Sequence, residues 1–209
     1  MSSSRYPIPA APFRCETEVE RSRFITSVQP VATTEEAQAF VSALKSEFPD
    51  ANHNCWAYLV GPPGSSDRIG LSDDGEPHGC AGKPILTCLQ HSGLGDLAMG
   101  VTRYFGGVKL GKGGMVKAYT AAAQAALDQL PRGEKIDWRQ FVASFDYSLF
   151  TLFERALANY EAEVLATNFS DRISIKLRIP SEREESFRRM FADLSAGQGQ
   201  LEADTDNSR

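Results

Sequence analysis

The chain has 209 residues, enough for one large domain or two small ones with buried cores. Its hydrophobic content of 42% and charged content of 23% are those of an ordinary globular protein. The net charge of −5 argues against a surface that is basic all over, so any anion site must come from local clustering of cations.

The first elements are predicted to be a flexible lead-in, a β-hairpin and a helix. A turn at Arg21 and Ser22 separates the two β-prone segments of the hairpin. Thr33 and Glu36 have capping-box spacing, and apolar residues then recur at helical intervals until Pro49. The predicted spans are 1–13 for the lead-in, and 14–20 and 24–31 for the hairpin.

The next segments alternate between strand and helix. A helix is introduced by Gly82 and Pro84, because proline is well tolerated in a first helical turn. A later segment is rich in alanine, which lets a helix backbone lie close to a sheet. The predicted elements are a strand at 54–60, the helix ended by residues 91–95, a strand at 97–105 and a helix at 115–130.

The polar segment 131–135 is the predicted domain boundary. Beyond it the order is strand, helix, strand, strand, helix, strand, which is typical of ferredoxin-like domains. Ser181 and Glu184 give the second of these helices a capping box. The predicted elements are a strand at 138–147, a helix at 149–160, a hairpin at 162–169 and 172–179, a helix at 181–194 and a strand at 197–201. The last eight or so residues are expected to fray.

A basic, glycine-rich stretch between Val101 and Tyr119 has the strongest functional signal. It is predicted to be a mobile loop that points at a helix N-terminus, where glycine amides and the helix dipole favour an anion. The candidate phosphate-binding residues are Arg103, Tyr104, Gly106, Gly107, Lys109, Gly111, Lys112, Gly113, Gly114 and Lys117.

Within this stretch, Gly106, Gly111 and Lys112 match the spacing of a P-loop. The next residue is Gly113, where a P-loop needs a hydroxyl to ligate Mg²⁺, so nucleotide hydrolysis is disfavoured. Contact with a phosphate backbone needs only amides and cations and fits better. Tyr104 and Phe105 could stack on bases. The alternative is a glycine-rich turn made for tight packing, with solvated lysines.

Asp73, Asp74 and Glu76 are weak candidates for acid–base chemistry or cation binding. An Asp-Gly turn is the simpler interpretation, and the partner of these acids could be the nearby basic stretch. His53 and Cys55 are weak candidates for a metal site or a Cys–His pair, with His78 or Cys80 needed to complete it. We therefore expect no metal and no cofactor.

The four cysteines include no C-x-x-C pair, and the N-terminus has no secretory signal pattern. No apolar run approaches the roughly 18 residues of a membrane span. These features predict a cytoplasmic protein without a membrane partner, and a monomer is favoured.

Several motifs together resemble the Impact/YigZ family. They are Ser72-Asp-Asp-Gly-Glu-Pro77, Gly79-x-Ala-Gly-x-Pro84, the glycine-rich stretch from Val101 to Gly114, and His53-x-Cys55-x-Ala57. The resemblance covers roughly residues 15–131, and the segment from 138 onward resembles the small C-terminal domain of the bacterial branch. His78 and Cys80 depart from the family pattern, which places small or hydroxyl residues there. In place of a hydroxyl that could cap the next helix, this sequence has the thiol of Cys80.

The resemblance implies an α+β fold with two domains. The first, at 14–133, is similar to the second domain of a small-subunit ribosomal protein, and the second, at 137–205, is a ferredoxin-like βαββαβ domain. It also implies an RNA- or ribosome-associated regulator of translation, with a translation-regulatory protein as a further partner. An enzyme acting on a phosphorylated small molecule or peptide, and a protein-interaction module without nucleic acid, are the alternatives.

Overall fold

The computed structural model describes residues 5–204, so the predictions for residues 1–4 and 205–209 lie outside the described residues. The chain divides into two compact units, Met1–Lys135 and Ile136–Arg209. Each unit contains its own sheet and its own hydrophobic core. The predicted α+β fold with two domains is confirmed.

The N-terminal unit is built on a five-stranded sheet in which every neighbouring pair is antiparallel. The order across the sheet is β2-β3-β6-β4-β5. Its strands are β2 (Phe13–Val19), β3 (Ser22–Pro30), β4 (His53–Leu59), β5 (Ile69–Ser72) and β6 (Leu97–Tyr104). The short strand β5 has no counterpart in the sequence prediction.

Helices cover both faces of this sheet, because successive side chains of a strand point to opposite faces. Phe40 of α1 packs with Tyr58 and Ala98 on one face. On the other face, the larger core joins α2 and α3 to the sheet through residues such as Ile85 and Tyr119. The helices are α1 (Thr34–Glu47), α2 (Gly82–His91) and α3 (Gly111–Gln129).

The first hairpin and the first helix begin and end close to the positions that local sequence signals predict. Strands β2 and β3 pair as predicted, but the turn lies one residue earlier than expected, at Glu20 and Arg21, whose φ values are 47° and 62°. Ser22 is fully buried and opens β3. At the start of α1, the side chain of Thr33 accepts a hydrogen bond from the Glu36 amide, as the capping box predicts.

The predicted flexible lead-in is wrong for residues 5–9. They form strand β1 (Arg5–Pro9), which pairs with β7 (Arg132–Ile136) in a separate two-stranded sheet. The Tyr6 hydroxyl donates to the buried Asp96 carboxylate over 2.7 Å, and Lys135 forms an ion pair with the same carboxylate. The polar segment 131–135 is thus largely a strand of the N-terminal unit. Local sequence patterns could not predict this, because the contacts join residues far apart in the chain.

The C-terminal unit has a four-stranded sheet in the order β11-β8-β10-β9, with two helices. This order and the βαββαβ succession are those of a ferredoxin-like domain. The core contains Phe145, Phe153, Phe187 and Phe191, all at most 3% exposed. The elements are β8 (Trp138–Phe145), α4 (Phe150–Leu157), β9 (Glu163–Phe169), β10 (Ile173–Pro180), α5 (Glu184–Leu194) and β11 (Gln200–Ala203).

The predicted capping box at Ser181 and Glu184 is wrong. Ser181–Arg183 forms a 3₁₀ turn before α5, and no side chain caps either element. The Ser181 amide donates to the Asp137 carbonyl over 2.8 Å. The sequence has the spacing of Ser and Glu but the structure lacks the capping hydrogen bonds. The reason is that the 3₁₀ turn moves the start of α5 by three residues.

Candidate functional site

The glycine-rich stretch is divided between a short loop and the start of a helix. Strand β6 ends at Tyr104, and α3 already begins at Gly111. Gly111, Lys112, Gly113 and Gly114 are therefore helical residues, four positions earlier than the predicted helix start. The loop itself is 105–110, and it leads directly into the first turn of α3.

This loop is anchored at two points. The Phe105 amide donates to Asn52 Oδ1 over 2.8 Å, and the Gly106 amide donates to Ser22 Oγ over 3.2 Å. A Cβ on Gly106 would lie 2.0 Å from the backbone of Arg21, so only glycine allows the loop to pack against the β2–β3 turn. The tight-packing interpretation thus applies to Gly106. A Cβ on Gly107, Gly111 or Gly113 would meet open space.

The cations of the stretch fall into two groups. Lys109, Lys112 and Lys117 are exposed, and among residues 5–204 no carboxylate lies within ion-pairing distance of any of them. No side chain caps the N-terminus of α3. The first amides of a helix have no intrahelical acceptor and carry the positive end of its dipole. The three lysines and this helix end therefore form a cationic surface, which we call the lysine surface.

Arg103 and Tyr104 are already engaged with protein partners. Arg103 is 5% exposed, and its Nη1 donates to Oε1 of the buried Glu76 over 2.7 Å. Tyr104 donates to Asp50 over 2.9 Å, and the Arg23 guanidinium lies 4.8 Å from the Tyr104 ring centroid. By contrast, the Phe105 side chain is 47% exposed. The aromatic ring available beside the lysine surface is therefore that of Phe105.

Glu76 is the centre of a buried polar cluster. Its Oε1 accepts hydrogen bonds from Arg103 and from the Tyr119 hydroxyl, the latter over 2.8 Å. The Cys55 thiol donates to the Tyr119 oxygen over 3.3 Å. The pairing of Glu76 with the basic stretch, one of the interpretations of the sequence, is what the structure contains. A buried carboxylate with these partners fixes β6, α3 and the β5–α2 connection to one another.

Asp73 caps the N-terminus of α2. Its carboxylate accepts the amides of Gly79, Ala81 and Gly82 over 2.8, 3.0 and 2.9 Å. Burial alone would raise the pKa of Asp73, but the three amide hydrogen bonds outweigh it and hold the pKa below its ordinary value. Asp73 thus supplies a side-chain cap for α2, and Cys80 is buried.

We expect Asp73→Ala to lower the free energy of unfolding of the N-terminal unit by about 2 kcal/mol, because three amides lose their acceptor. Since the folded-state pKa lies below the unfolded value near 4, this stabilisation is present above about pH 4 and is lost as the pH falls further. Urea denaturation at pH 7 and pH 3 measures both effects. The variant should show the smaller acid sensitivity. His78→Ala, which removes a fully exposed side chain 3.8 Å from the same carboxylate, is the control and should change stability by less than about 0.5 kcal/mol.

Asp74 is also a structural residue. Its carboxylate pairs with Lys45 over 2.6 Å and accepts the Asn54 amide over 2.7 Å. Its carbonyl oxygen lies 2.8 Å from His53 Nδ1, so that nitrogen must carry a proton and donate. None of the three acids is therefore arranged as an exposed general acid or base.

His53 and Cys55 do not form a reactive pair. Burial raises the pKa of the Cys55 thiol to about 12, which disfavours the thiolate that a nucleophile requires near neutral pH. Within residues 5–204 no group of three His, Cys, Asp or Glu side chains is placed to hold a metal ion. His53 instead lines a cleft beside the glycine-rich loop.

Two clefts flank the loop and the start of α3, and Lys109 and Leu110 line both. The first, of about 660 Å³, extends along α3 to Lys117. The second, of about 420 Å³, lies between the end of β6 and the start of β4. We call the second one the Arg103 cleft. Both volumes are in the range of small-molecule sites.

The sequence places these features in a known family. Residues 20–127 match the Impact N-terminal domain, and residues 144–198 match DUF1949, a domain of unknown function. The chain belongs to the Impact family. The glycine-rich motif that suggested this resemblance lies within the first match and forms the loop and helix start described above.

Relatives match the Impact chain over nearly its full length. The IMPACT family member YigZ of Escherichia coli is 38% identical over 93% of this chain and 95% of its own length. An IMPACT family member of Haemophilus influenzae is 38% identical over 93% of this chain and 94% of its own. A crystal structure described as that of a hypothetical protein is 36% identical, with a TM-score of 0.66 over 97% of this chain and 98% of that chain. Among residues 5–204, no helix has the length and apolar character needed to cross a membrane.

Proposed function

We propose that this Impact-family protein binds RNA, free or in the ribosome, through the phosphate backbone, and acts there as a regulator of translation in the cytoplasm. The observation that carries the proposal is the lysine surface. Three exposed lysines without acidic partners in the described part of the chain lie just before α3 and in its first two turns, and no side chain caps the N-terminus of this helix. Family membership supports the translational role.

The clustering of cations on an otherwise acidic chain supports the lysine surface as an anion-binding site. The whole chain carries a net charge of −5, so it repels polyanions except where cations cluster. Contacts from lysines and amides to phosphates are independent of base sequence. The half-exposed Phe105 ring adds a surface on which an unpaired base can stack. The proposed preference is therefore for RNA with single-stranded segments.

The enzyme alternative is less well supported. Asp73 and Asp74 accept backbone amides, and Glu76 is buried against Arg103. Acid–base chemistry at any of these acids would therefore have to break a hydrogen bond or an ion pair that stabilises the fold. A protein-interaction module remains distinguishable by experiment, because its partner binding would not depend on the lysine surface or on salt in the same way.

The proposal predicts RNA affinity that falls steeply with salt. For single-stranded RNA, each lysine–phosphate contact contributes a slope of about −0.7 in log K against log salt concentration. Lys112→Ala with Lys117→Ala should therefore weaken binding on the order of tenfold near 0.1 M salt and flatten the slope by about 1.4. Filter binding of a fluorescent RNA with a stem and a single-stranded loop, between 50 and 300 mM salt, measures both quantities.

A matched control removes the same charge elsewhere. Lys83→Ala with Arg155→Ala takes two exposed cations from α2 and α4 and should bind RNA as the natural protein does. Equal weakening in the two double variants would reduce the effect to net charge and contradict the proposal. Salt-independent binding would do the same, and capture of a protein from lysate that survives nuclease would favour the interaction module.

A further inference from the structure

The wall of the Arg103 cleft contains several groups that attract anions. Its lining includes Asn52 and His53 around the start of β4, Arg103 and Phe105 around the end of β6, and Lys109 and Gly111 around the start of α3. Arginine, lysine and a helix N-terminus all favour an anion. The cleft lies beside the lysine surface but is concave, and Asn52 and His53 belong to it alone.

The buried guanidinium of Arg103 has an unmet hydrogen-bond donor. Nη1 donates to Glu76, and Nη2 makes only a 3.4 Å contact with Ser22 Oγ. Nε is buried and has no hydrogen-bond partner. A buried N–H without an acceptor is unfavourable by about 1–3 kcal/mol, and native structures rarely leave one unused. The Nε and Nη2 edge is the side of a guanidinium that binds two oxygens of one anion.

The other walls add donors and few acceptors. Gly111 brings the uncapped end of α3 to the cleft, and Lys109 brings a free ammonium group. His53 Nδ1 is committed to the Asp74 carbonyl, which leaves Nε2 as its other polar atom, 3.8 Å from Glu76. Glu76 is turned toward Arg103 and Tyr119, and its side chain is only 3% exposed.

The ring of Phe105 covers the guanidinium. Its centroid lies 5.7 Å from the Arg103 Cζ, and the side chain is 47% exposed, so it can turn outward without leaving a core. The Phe24 ring lies 5.6 Å from the same Cζ but is fully buried, so Phe105 is the ring on the cleft side that an entering anion can move. The cleft volume of about 420 Å³ is larger than a phosphate needs and fits a nucleotide-sized molecule.

We propose that the Arg103 cleft binds the terminal phosphate of a phosphomonoester, with Arg103 Nε and Nη2, Lys109 and the α3 amides as donors. The phosphate belongs either to a free mononucleotide or to the end of an RNA chain. This site goes beyond the backbone contacts of the lysine surface, because a monoester carries a second negative charge and an accessible end. It does not depend on the RNA-binding proposal.

The test is isothermal titration of the full chain with adenosine 5′-monophosphate, adenosine and inorganic phosphate. We expect the monophosphate to bind, phosphate to bind more weakly, and adenosine not to bind. Asn52→Asp places a carboxylate on the cleft wall and keeps the acceptor for the Phe105 amide. It should weaken monophosphate binding about tenfold. Arg103→Lys keeps the buried cation but removes Nε, and a similar loss is expected.

A control variant tests whether the effect is specific to the Arg103 cleft. Asn168→Asp makes the same chemical change on β9 and should bind the monophosphate normally. Monophosphate affinity that is equal in Asn52→Asp and the natural protein, or no binding at millimolar concentration, would overturn the proposal. Oligonucleotides with a 5′-phosphate or a 5′-hydroxyl then separate the two ligand sources. Lys112→Ala with Lys117→Ala should keep monophosphate binding, which distinguishes failure of this site from failure of the lysine surface.

Discussion

Glu76→Gln is expected to lower the free energy of unfolding of the N-terminal unit by about 3–5 kcal/mol, the usual loss when one partner of a buried ion pair is removed. The substitution keeps the side-chain volume and one carbonyl oxygen, so it tests charge and not packing. It leaves the Arg103 guanidinium, which is 5% exposed, without a counter-charge. The amide also offers a weaker acceptor to the Tyr119 hydroxyl.

Urea denaturation followed by Trp56 fluorescence in a Trp138→Phe background measures this change, since each unit contains one of the two tryptophans. Glu47→Gln is the control: it breaks the exposed pair with Arg14 and should change stability by less than about 1 kcal/mol. Glu76→Gln combined with Arg103→Met should recover most of the lost stability, because no unpaired charge is then buried. Natural stability in the single variant would show that the pair contributes nothing.

Phe153→Ala is expected to destabilise the C-terminal unit by about 3–5 kcal/mol, the range for large aromatic residues removed from a core. Its ring contacts those of Phe145, Phe187 and Phe191, with centroid distances of 4.7, 6.2 and 5.6 Å. These residues come from β8 and α5, so the ring joins both to α4. Deleting it leaves a cavity that the neighbouring rings cannot fill.

Trp138 fluorescence in a Trp56→Phe background reports on the C-terminal unit, and the converse background reports on the N-terminal one. Only the Trp138 transition should move to lower urea concentration. Leu152→Ala changes the adjacent residue, which is 53% exposed, and should have an effect within about 0.5 kcal/mol. A shift of the Trp56 transition in Phe153→Ala would contradict the expectation that the two cores unfold separately.

Local patterns predicted those elements whose signals lie within a few residues. The Thr33 cap, the β2–β3 hairpin and the βαββαβ order are of this kind, because each depends on neighbours in sequence. Strand β1 was not predicted from local patterns. Its serine- and proline-rich surroundings suggest a loose end, while the strand that pairs with it is β7, which is distant in sequence.

Sequence patterns named candidate residues but could not give their geometry. Which glycines pack tightly and which cations are exposed depends on contacts across the fold. Asp73 is an N-terminal cap for amides six to nine positions away, beyond the reach of any capping-box rule. The burial of Arg103 and the exposure of Phe105 likewise follow from where β6 ends, because Arg103 lies within this covered strand and Phe105 comes directly after it.

The pairing of β1 with β7 also sets an order of events for a chain that is made from its N-terminus. The Arg5 and Glu134 side chains that meet across this small sheet are 129 positions apart. During synthesis, β1 leaves the ribosome before β7, and it cannot pair until the whole five-stranded sheet and α3 have followed it. The N-terminal unit can thus assemble its large core before its two ends are joined, and the joining completes it.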